Sequence, residues 1–249
     1  MRRQEIILLI ALWASVGAPA ALQGQSIRLM CASSLRESIE PLVDQFSRQH
    51  NIKMQVLYGS SSLLRNQLQA GATTDVFIFA GEAQARWLTD HQMVERYEPI
   101  GNTRLVLLVR PGMHLKTLRD LAKPGLRLAL ADPGVPIGRF TEGLLRAAVA
   151  KNYLSAREYE ALYRNIVTRD FSAQNLKNKI QLREADAAFI YLSQWDSGDV
   201  IELPTDINPS IPYVAGVTSS SKQTYWGHRW VAFLQSPEAK RRFSERGIQ

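Results

Sequence analysis

Two serines stand where a predicted strand gives way to a predicted helix, and serines at such a junction cap helices, bind anions or act as nucleophiles. Ile27-Arg-Leu-Met-Cys-Ala-Ser-Ser-Leu35 reads as a buried strand running through a serine turn into residues 36–46, where Leu35, Ile39, Leu42, Val43 and Phe46 recur at helical spacing. Met54-Gln-Val-Leu-Tyr58 repeats the plan, passing through Gly59-Ser-Ser-Ser62 into a helix that carries Leu63, Leu64 and Leu68. The first backbone N–H groups of a helix have no partner within it and the macrodipole is positive there, so both junctions are ready anion sites. Ser34 with Glu37 also fits the capping box, in which the serine only closes its own helix. Pro41 sits badly in that helix, because it removes one hydrogen bond and tends to kink the axis.

Further junctions of the same kind follow. Arg127-Leu-Ala-Leu-Ala131 leaves through Asp132-Pro-Gly-Val-Pro-Ile-Gly138 into a helix from Arg139 with Phe140, Leu144, Leu145 and Val149. Asp170-Phe-Ser172 precedes a helix bearing Leu176 and Ile180, and Ala187-Ala-Phe-Ile-Tyr191 is a strand ending in a phenol. Four helix starts and one tyrosine would then share one small space, although Tyr191 alone reads equally well as a core aromatic with its hydroxyl satisfied nearby.

The elements that must position these residues alternate strand and helix. Asp75-Val-Phe-Ile-Phe79 and Arg104-Leu-Val-Leu-Leu-Val109 are apolar strands, with a helix at 82–88 and a short one at 118–121. That order predicts an α/β fold with right-handed crossovers, whose ligands lie outside the carboxyl ends of the strands. Tyr213-Val-Ala-Gly-Val217 reads as a last strand, followed by helical stretches at 225–234 and 237–243. A terminal segment returning after an inserted half makes two lobes joined by two crossings, near Val106 and Val214, with a cleft between them that closes by hinge motion.

Met1-Arg-Arg, the apolar run 6–16 and Ala18-Pro-Ala20 follow the plan of a secretory signal peptide, so the mature chain is expected to start near Ala21 and to work in the periplasm. The formal charge of +7 becomes +6 once Arg2, Arg3 and Glu5 are removed with the leader. Its basic residues are scattered, apart from Lys240-Arg-Arg242, and no nucleic-acid motif accompanies them; the charge reads as a solvated surface that also draws anions inward. Cys31 is the sole cysteine, which excludes an intrachain disulfide, and its place in a strand makes it a small core residue rather than a lipid anchor. No internal repeat, low-complexity tract or linker divides the sequence.

Cys31-Ala-Ser-Ser-Leu35, Tyr58-Gly-Ser-Ser-Ser-Leu-Leu64, Ala72-Thr-Thr-Asp-Val-Phe-Ile78, Gly101-Asn102, Asp132-Pro-Gly-Val-Pro-Ile-Gly138 and Glu184-Ala-Asp-Ala-Ala-Phe-Ile-Tyr191 resemble, in order and spacing, the motifs of periplasmic molybdate-binding proteins. The resemblance spans nearly all of the mature chain. It implies the type II solute-binding fold, with residues 1–20 as leader, 21–105 plus 216–249 as one lobe and 106–215 as the other. It also implies a monomeric receptor that captures molybdate or tungstate and delivers it to the membrane permease of an ATP-driven ABC importer, with no enzyme activity, cofactor, cation site or nucleic-acid partner. Carried over residue by residue, the ligand contacts fall on Ser34 and Ser61 through hydroxyl and backbone N–H, on the backbone N–H groups of Ile137 and Ala173, and on the Tyr191 hydroxyl. This chain departs from the usual pattern with Cys31, Ser33 and Ile137, while Arg65 and Arg139, just inside two helix starts, would add positive potential.

The chemistry of these residue types suits that implication. None of the five is a carboxylate, and a fully deprotonated tetrahedral oxyanion offers only acceptors. Phosphate near neutral pH keeps a proton that seeks an acceptor, whereas sulfate differs chiefly in size. Two alternatives stay open: a receptor of the same fold for another oxyanion or a small organic acid, and a serine hydrolase. For the hydrolase, Gly59-Ser-Ser61 continues into Ser62-Leu63 rather than completing Gly-x-Ser-x-Gly, and His50, His91, His114 and His228 lie in separate segments without metal-ligand spacing.

Overall fold

A computed structural model describes residues 26–249; the expected leader and the start near Ala21 lie outside the described residues. The strands are β1 (Ser26–Ala32), β2 (Lys53–Gly59), β3 (Val76–Ala80), β4 (Glu98–Thr103), β5 (Leu105–Val109), β6 (Leu128–Ala131), β7 (Ile166–Asp170), β8 (Ala187–Tyr191), β9 (Asp199–Glu202) and β10 (Ile211–Val217). The helices are α1 (Arg36–His50), α2 (Ser61–Gln69), α3 (Ala83–Asp90), α4 (Pro136–Ala150), α5 (Ala156–Arg164), α6 (Ala173–Gln181), α7 (Thr224–Leu234) and α8 (Pro237–Ser244).

Two five-stranded sheets form, in the orders β2-β1-β3-β10-β4 and β7-β6-β8-β5-β9. They are built alike. In each, one strand (β1 or β6) lies between two parallel partners, and the third strand of that trio (β3 or β8) pairs antiparallel with a strand that arrives from the other lobe (β10 or β5). Strands β3, β5, β6 and β8 are buried at every residue, the signature of strands covered by helices on both faces. Among the covering helices, α1 buries Ile39, Leu42, Val43 and Phe46, each worth about 1.5–3 kcal/mol relative to exposure.

An aspartate opens the innermost parallel strand of each lobe. Asp75, just before β3, accepts the Arg28 N–H of β1 at 2.8 Å, and Ser221 Oγ donates to its other oxygen at 2.9 Å. Asp186, just before β8, accepts the Arg127 N–H beside β6 at 2.9 Å, with Arg110 and Arg127 guanidinium groups at 2.9 Å. Two of the Asp-containing motifs singled out in the sequence, those of Asp75 and Asp186, therefore pin parallel strand pairs.

The chain crosses between the sheets at Arg104 and again through residues 203–210. Asn208 ties the two crossings together, accepting Leu105 N–H at 3.1 Å and donating to Leu105 C=O at 2.8 Å. Strand β10 pairs along its length with β3 and β4, so the boundary expected between residues 215 and 216 falls inside a strand of the first sheet.

The expected capping box does not form. Ser33–Leu35 makes a 3-10 turn, Leu35 is the N-cap of α1 without a side-chain cap, and Glu37 turns away to Lys177 at 2.8 Å and Arg246 at 3.0 Å. Those two cations offer a carboxylate charge-assisted bonds that a serine N–H cannot match. Helix α1 continues through Pro41 as one 15-residue helix. Cys31 is fully buried, and that burial pushes its thiol well above the ordinary range, as expected of a core residue.

Candidate functional site

Helices start at the carboxyl ends of β1 and β2 in one lobe and of β6 and β7 in the other. Three of the four starts are organised so that the residue facing the cleft is free of capping duty. Ser60, not Ser61, caps α2, its Oγ accepting Leu63 N–H at 3.3 Å, and Ser172 caps α6 by accepting Asn175 N–H at 3.2 Å. Ser61 and Ala173 are thereby the first residues of their helices, whose N–H groups have no partner within the helix. Pro136 opens α4 with no N–H of its own, so Ile137 presents the first donor of that helix. The Asp132–Gly138 turn folds tightly against α4; a Cβ on Gly138 would lie 1.9 Å from Asp132 C=O.

Ser34, Ser61, Ile137, Ala173 and Tyr191 all line one cavity, together with Ala32, Gly59, Ala80, Val135 and neighbouring serines. It offers ≈ 20 Å³ to the centre of a water-sized sphere. A single water needs roughly 10–15 Å³ on that measure, so the space suits one small ion. Among the described residues no carboxylate, imidazole, amine or guanidinium lines the cavity.

The hydroxyls around this space share a polarity. Ser61 Oγ accepts Ala80 N–H at 2.9 Å, and Ser34 Oγ accepts the Tyr213 O–H at 3.3 Å. A serine has one proton and two lone pairs, so each keeps its own proton for a further acceptor. Among the described residues the buried Tyr191 hydroxyl has no hydrogen-bond partner, and no other such orphan lines the cavity. Burial, then the neighbouring Tyr213, raises the Tyr191 phenol well above its ordinary value against the opposing Arg139 charge, so it remains a proton donor at neutral pH. All three hydroxyls are thus set to donate.

Arg65 lies outside the lining. It is held by Gln84 at 3.3 Å and Gln69 at 2.8 Å, with its guanidinium 4.5 Å from the Trp87 ring centroid. Arg139 instead braces the turn before α4, donating to Gly134 C=O at 3.1 Å, and Ser62 Oγ from the other lobe reaches the same carbonyl at 3.0 Å. The cavity opens into a broader cleft whose wall includes Arg36, seated 3.9 Å over the Tyr58 ring. Tyr213 and Ser193, which stand behind Ser34, carried no sequence signal: one read as a strand residue and the other lay in no motif.

A small pocket of neutral donors between two α/β lobes has the form of a solute-binding site, and among the described residues no imidazole lines it beside Ser61. Residues 27–249 match the family model for bacterial extracellular solute-binding proteins, and the chain belongs to that family. The molybdate-binding protein ModA of Mycobacterium tuberculosis is 26% identical over 200 residues, covering 78% of this chain and 70% of its own length. Among solved structures, the periplasmic molybdate-binding protein of Azotobacter vinelandii superposes with a TM-score of 0.79 at 21% identity, covering 90% of this chain and 98% of that one. The sulfate-binding protein SubI of Mycobacterium tuberculosis gives 0.77 at 14% identity, over 90% and 86%. At those identities the two structures share the fold.

Proposed function

We propose that this protein is the periplasmic receptor of an ABC importer for molybdate or tungstate, working as a monomer that delivers its ion to a membrane permease. Ser34 and Ser61 bind through hydroxyl and backbone N–H groups, Ile137 and Ala173 through backbone N–H groups, and Tyr191 through its hydroxyl. The observation that carries the reading is the uniform donor polarity of the cavity, with the buried Tyr191 hydroxyl awaiting an acceptor. An acceptor-only tetrahedral dianion complements such a wall, and hydrogen phosphate suits it less well, because its proton finds no carboxylate among the lining residues. The names of the similar proteins from Mycobacterium and Azotobacter support the choice of ion. Sulfate satisfies the same donors, and discrimination against it rests on cavity size.

The test is thermal unfolding of the purified protein with molybdate, tungstate, sulfate and phosphate in turn. A ligand that binds only the folded state raises the melting temperature. Molybdate and tungstate are expected to do so at concentrations where phosphate does not. A shift with sulfate alone would make this a sulfate receptor, and no shift with any oxyanion would remove the proposal.

A further inference from the structure

Behind Ser34 lies a chain of hydroxyls that passes from one lobe to the other. Ser193, in the turn after β8, is fully buried with its Oγ 2.7 Å from the Tyr213 hydroxyl, and Tyr213, on β10 of the opposite lobe, is equally buried. Tyr213 in turn donates to Ser34 Oγ at 3.3 Å. A phenol has one proton, so if that proton goes to Ser34, the bond with Ser193 must run from Ser193 to Tyr213. Ser34 then accepts from Tyr213 and has its own proton left, and Ser34 lines the cavity.

We infer that Tyr213 and Ser193 are positioning residues: they form a relay, Ser193 to Tyr213 to Ser34, that fixes the Ser34 hydroxyl as a donor toward the bound ion. The inference rests on the oxyanion reading above and deepens it. Because Ser193 belongs to the lobe opposite Ser34 and Tyr213, the relay is complete only when the lobes are together. Closure then does more than wall off the ion. It sets the direction of a buried hydrogen-bond chain, and the bond from Tyr213 takes one of the two lone pairs through which Ser34 Oγ could accept the proton of a protonated oxyanion. Neither Tyr213 nor Ser193 lines the cavity, so both act through Ser34.

A double-mutant cycle read by calorimetric titration with sodium molybdate, and with phosphate as the protonated comparison, tests the relay. Tyr213→Phe should weaken molybdate binding about tenfold, the scale of one hydrogen bond made to a charged partner, and Ser193→Ala should weaken it less. In a Ser34→Ala background, Tyr213→Phe should add no more than about a twofold loss. Tyr213→Phe should also narrow the preference for molybdate over phosphate, a change that loss of stability alone does not produce. Denaturant unfolding of each unliganded variant identifies any that fail to fold, and Ser193→Ala, which removes one atom at the far end of the chain, then carries the same cycle. Multiplying losses, or a Tyr213→Phe protein that binds molybdate like the parent, would overturn the relay alone. A parent protein that binds no oxyanion would overturn the oxyanion reading and the relay with it.

Discussion

A single hydroxyl shows how closely stability and binding are separated in this cavity. Tyr191 makes no protein hydrogen bond through its oxygen, so Tyr191→Phe removes nothing the unliganded fold uses. We expect the variant to unfold at the same denaturant concentration as the parent or slightly higher, while molybdate binding weakens roughly tenfold. Ser61→Ala should behave differently, because its oxygen also holds Ala80 N–H. It is expected to lose about 1–3 kcal/mol of stability through the stranded N–H as well as tenfold to a hundredfold in affinity. Calorimetry beside unfolding of the unliganded variants separates the two cases, and equal stability losses at both positions would contradict the hydrogen-bond assignment. Residue types and order were enough to single out Ser34, Ser61 and Tyr191 as candidates. The resemblance chose Ser61, but that Ser60 takes the capping role was not legible in the residues themselves, since Ser60, Ser61 and Ser62 are chemically identical and only the backbone path assigns Ser60 to α2.

At the scale of elements, two short segments hold the second lobe in register. Burial alone would raise the Asp186 carboxyl, but hydrogen bonds from the Arg127 side chain and N–H and from Arg110 outweigh it and bring it to about 2. The folded value lies below that of a free aspartate, about 3.9, so this contribution to stability is complete above that pH and is lost as pH falls toward 2. Asp186→Asn should therefore lower the melting temperature at pH 7 and flatten the acid limb of the stability curve between about pH 4 and 2. An acid limb identical to the parent's would show the network to be inert. The turn into α4 offers a second test: Gly138→Ala places a methyl against Asp132 C=O and should cost about 1–3 kcal/mol while displacing Ile137 from the cavity wall. Thermal unfolding and molybdate titration of that variant should both report a loss. The strands that the sequence concealed, β4, β7 and β9, each form an edge of their sheet. Glu-Pro-Ile-Gly-Asn-Thr in β4 has neither an apolar run nor clean alternation, because one side of an edge strand faces water.

For the whole molecule, closure is written in charges as well as hydroxyls. Lys177 on α6 lies almost wholly buried between Asp196 of its own lobe at 2.7 Å and Glu37 of the opposite lobe at 2.8 Å, with Arg246 on the far side of Glu37 at 3.0 Å. Neither Lys177 nor Glu37 lines the cavity, and the pair exists only when the lobes meet. Glu37→Gln is expected to leave each lobe folded, populate more open forms, and weaken molybdate binding about two- to tenfold, since a partly exposed pair contributes on the order of 1 kcal/mol. Small-angle scattering of the unliganded protein should show a larger radius for the variant than for the parent, and saturating molybdate should compact both. Equal radii in the unliganded state would mean that the ion pair does not hold the lobes together.

The sequence by itself determined the α/β class and the alternation of buried strands with amphipathic helices, and its resemblance to a known family proposed the five residues of the site. Those properties are local: periodicity and short motifs follow from contacts a few residues apart. Only the tertiary structure revealed that the two lobes repeat one strand order, a likeness that leaves no repeat in the sequence because many apolar residues fill equivalent positions. It alone set Glu37 against Lys177, 140 positions away, and Tyr213 against Ser34 and Ser193. A hydroxyl's polarity depends on which partner stands behind it, and that partner is chosen by how the chain crosses between the lobes, not by its neighbours in sequence.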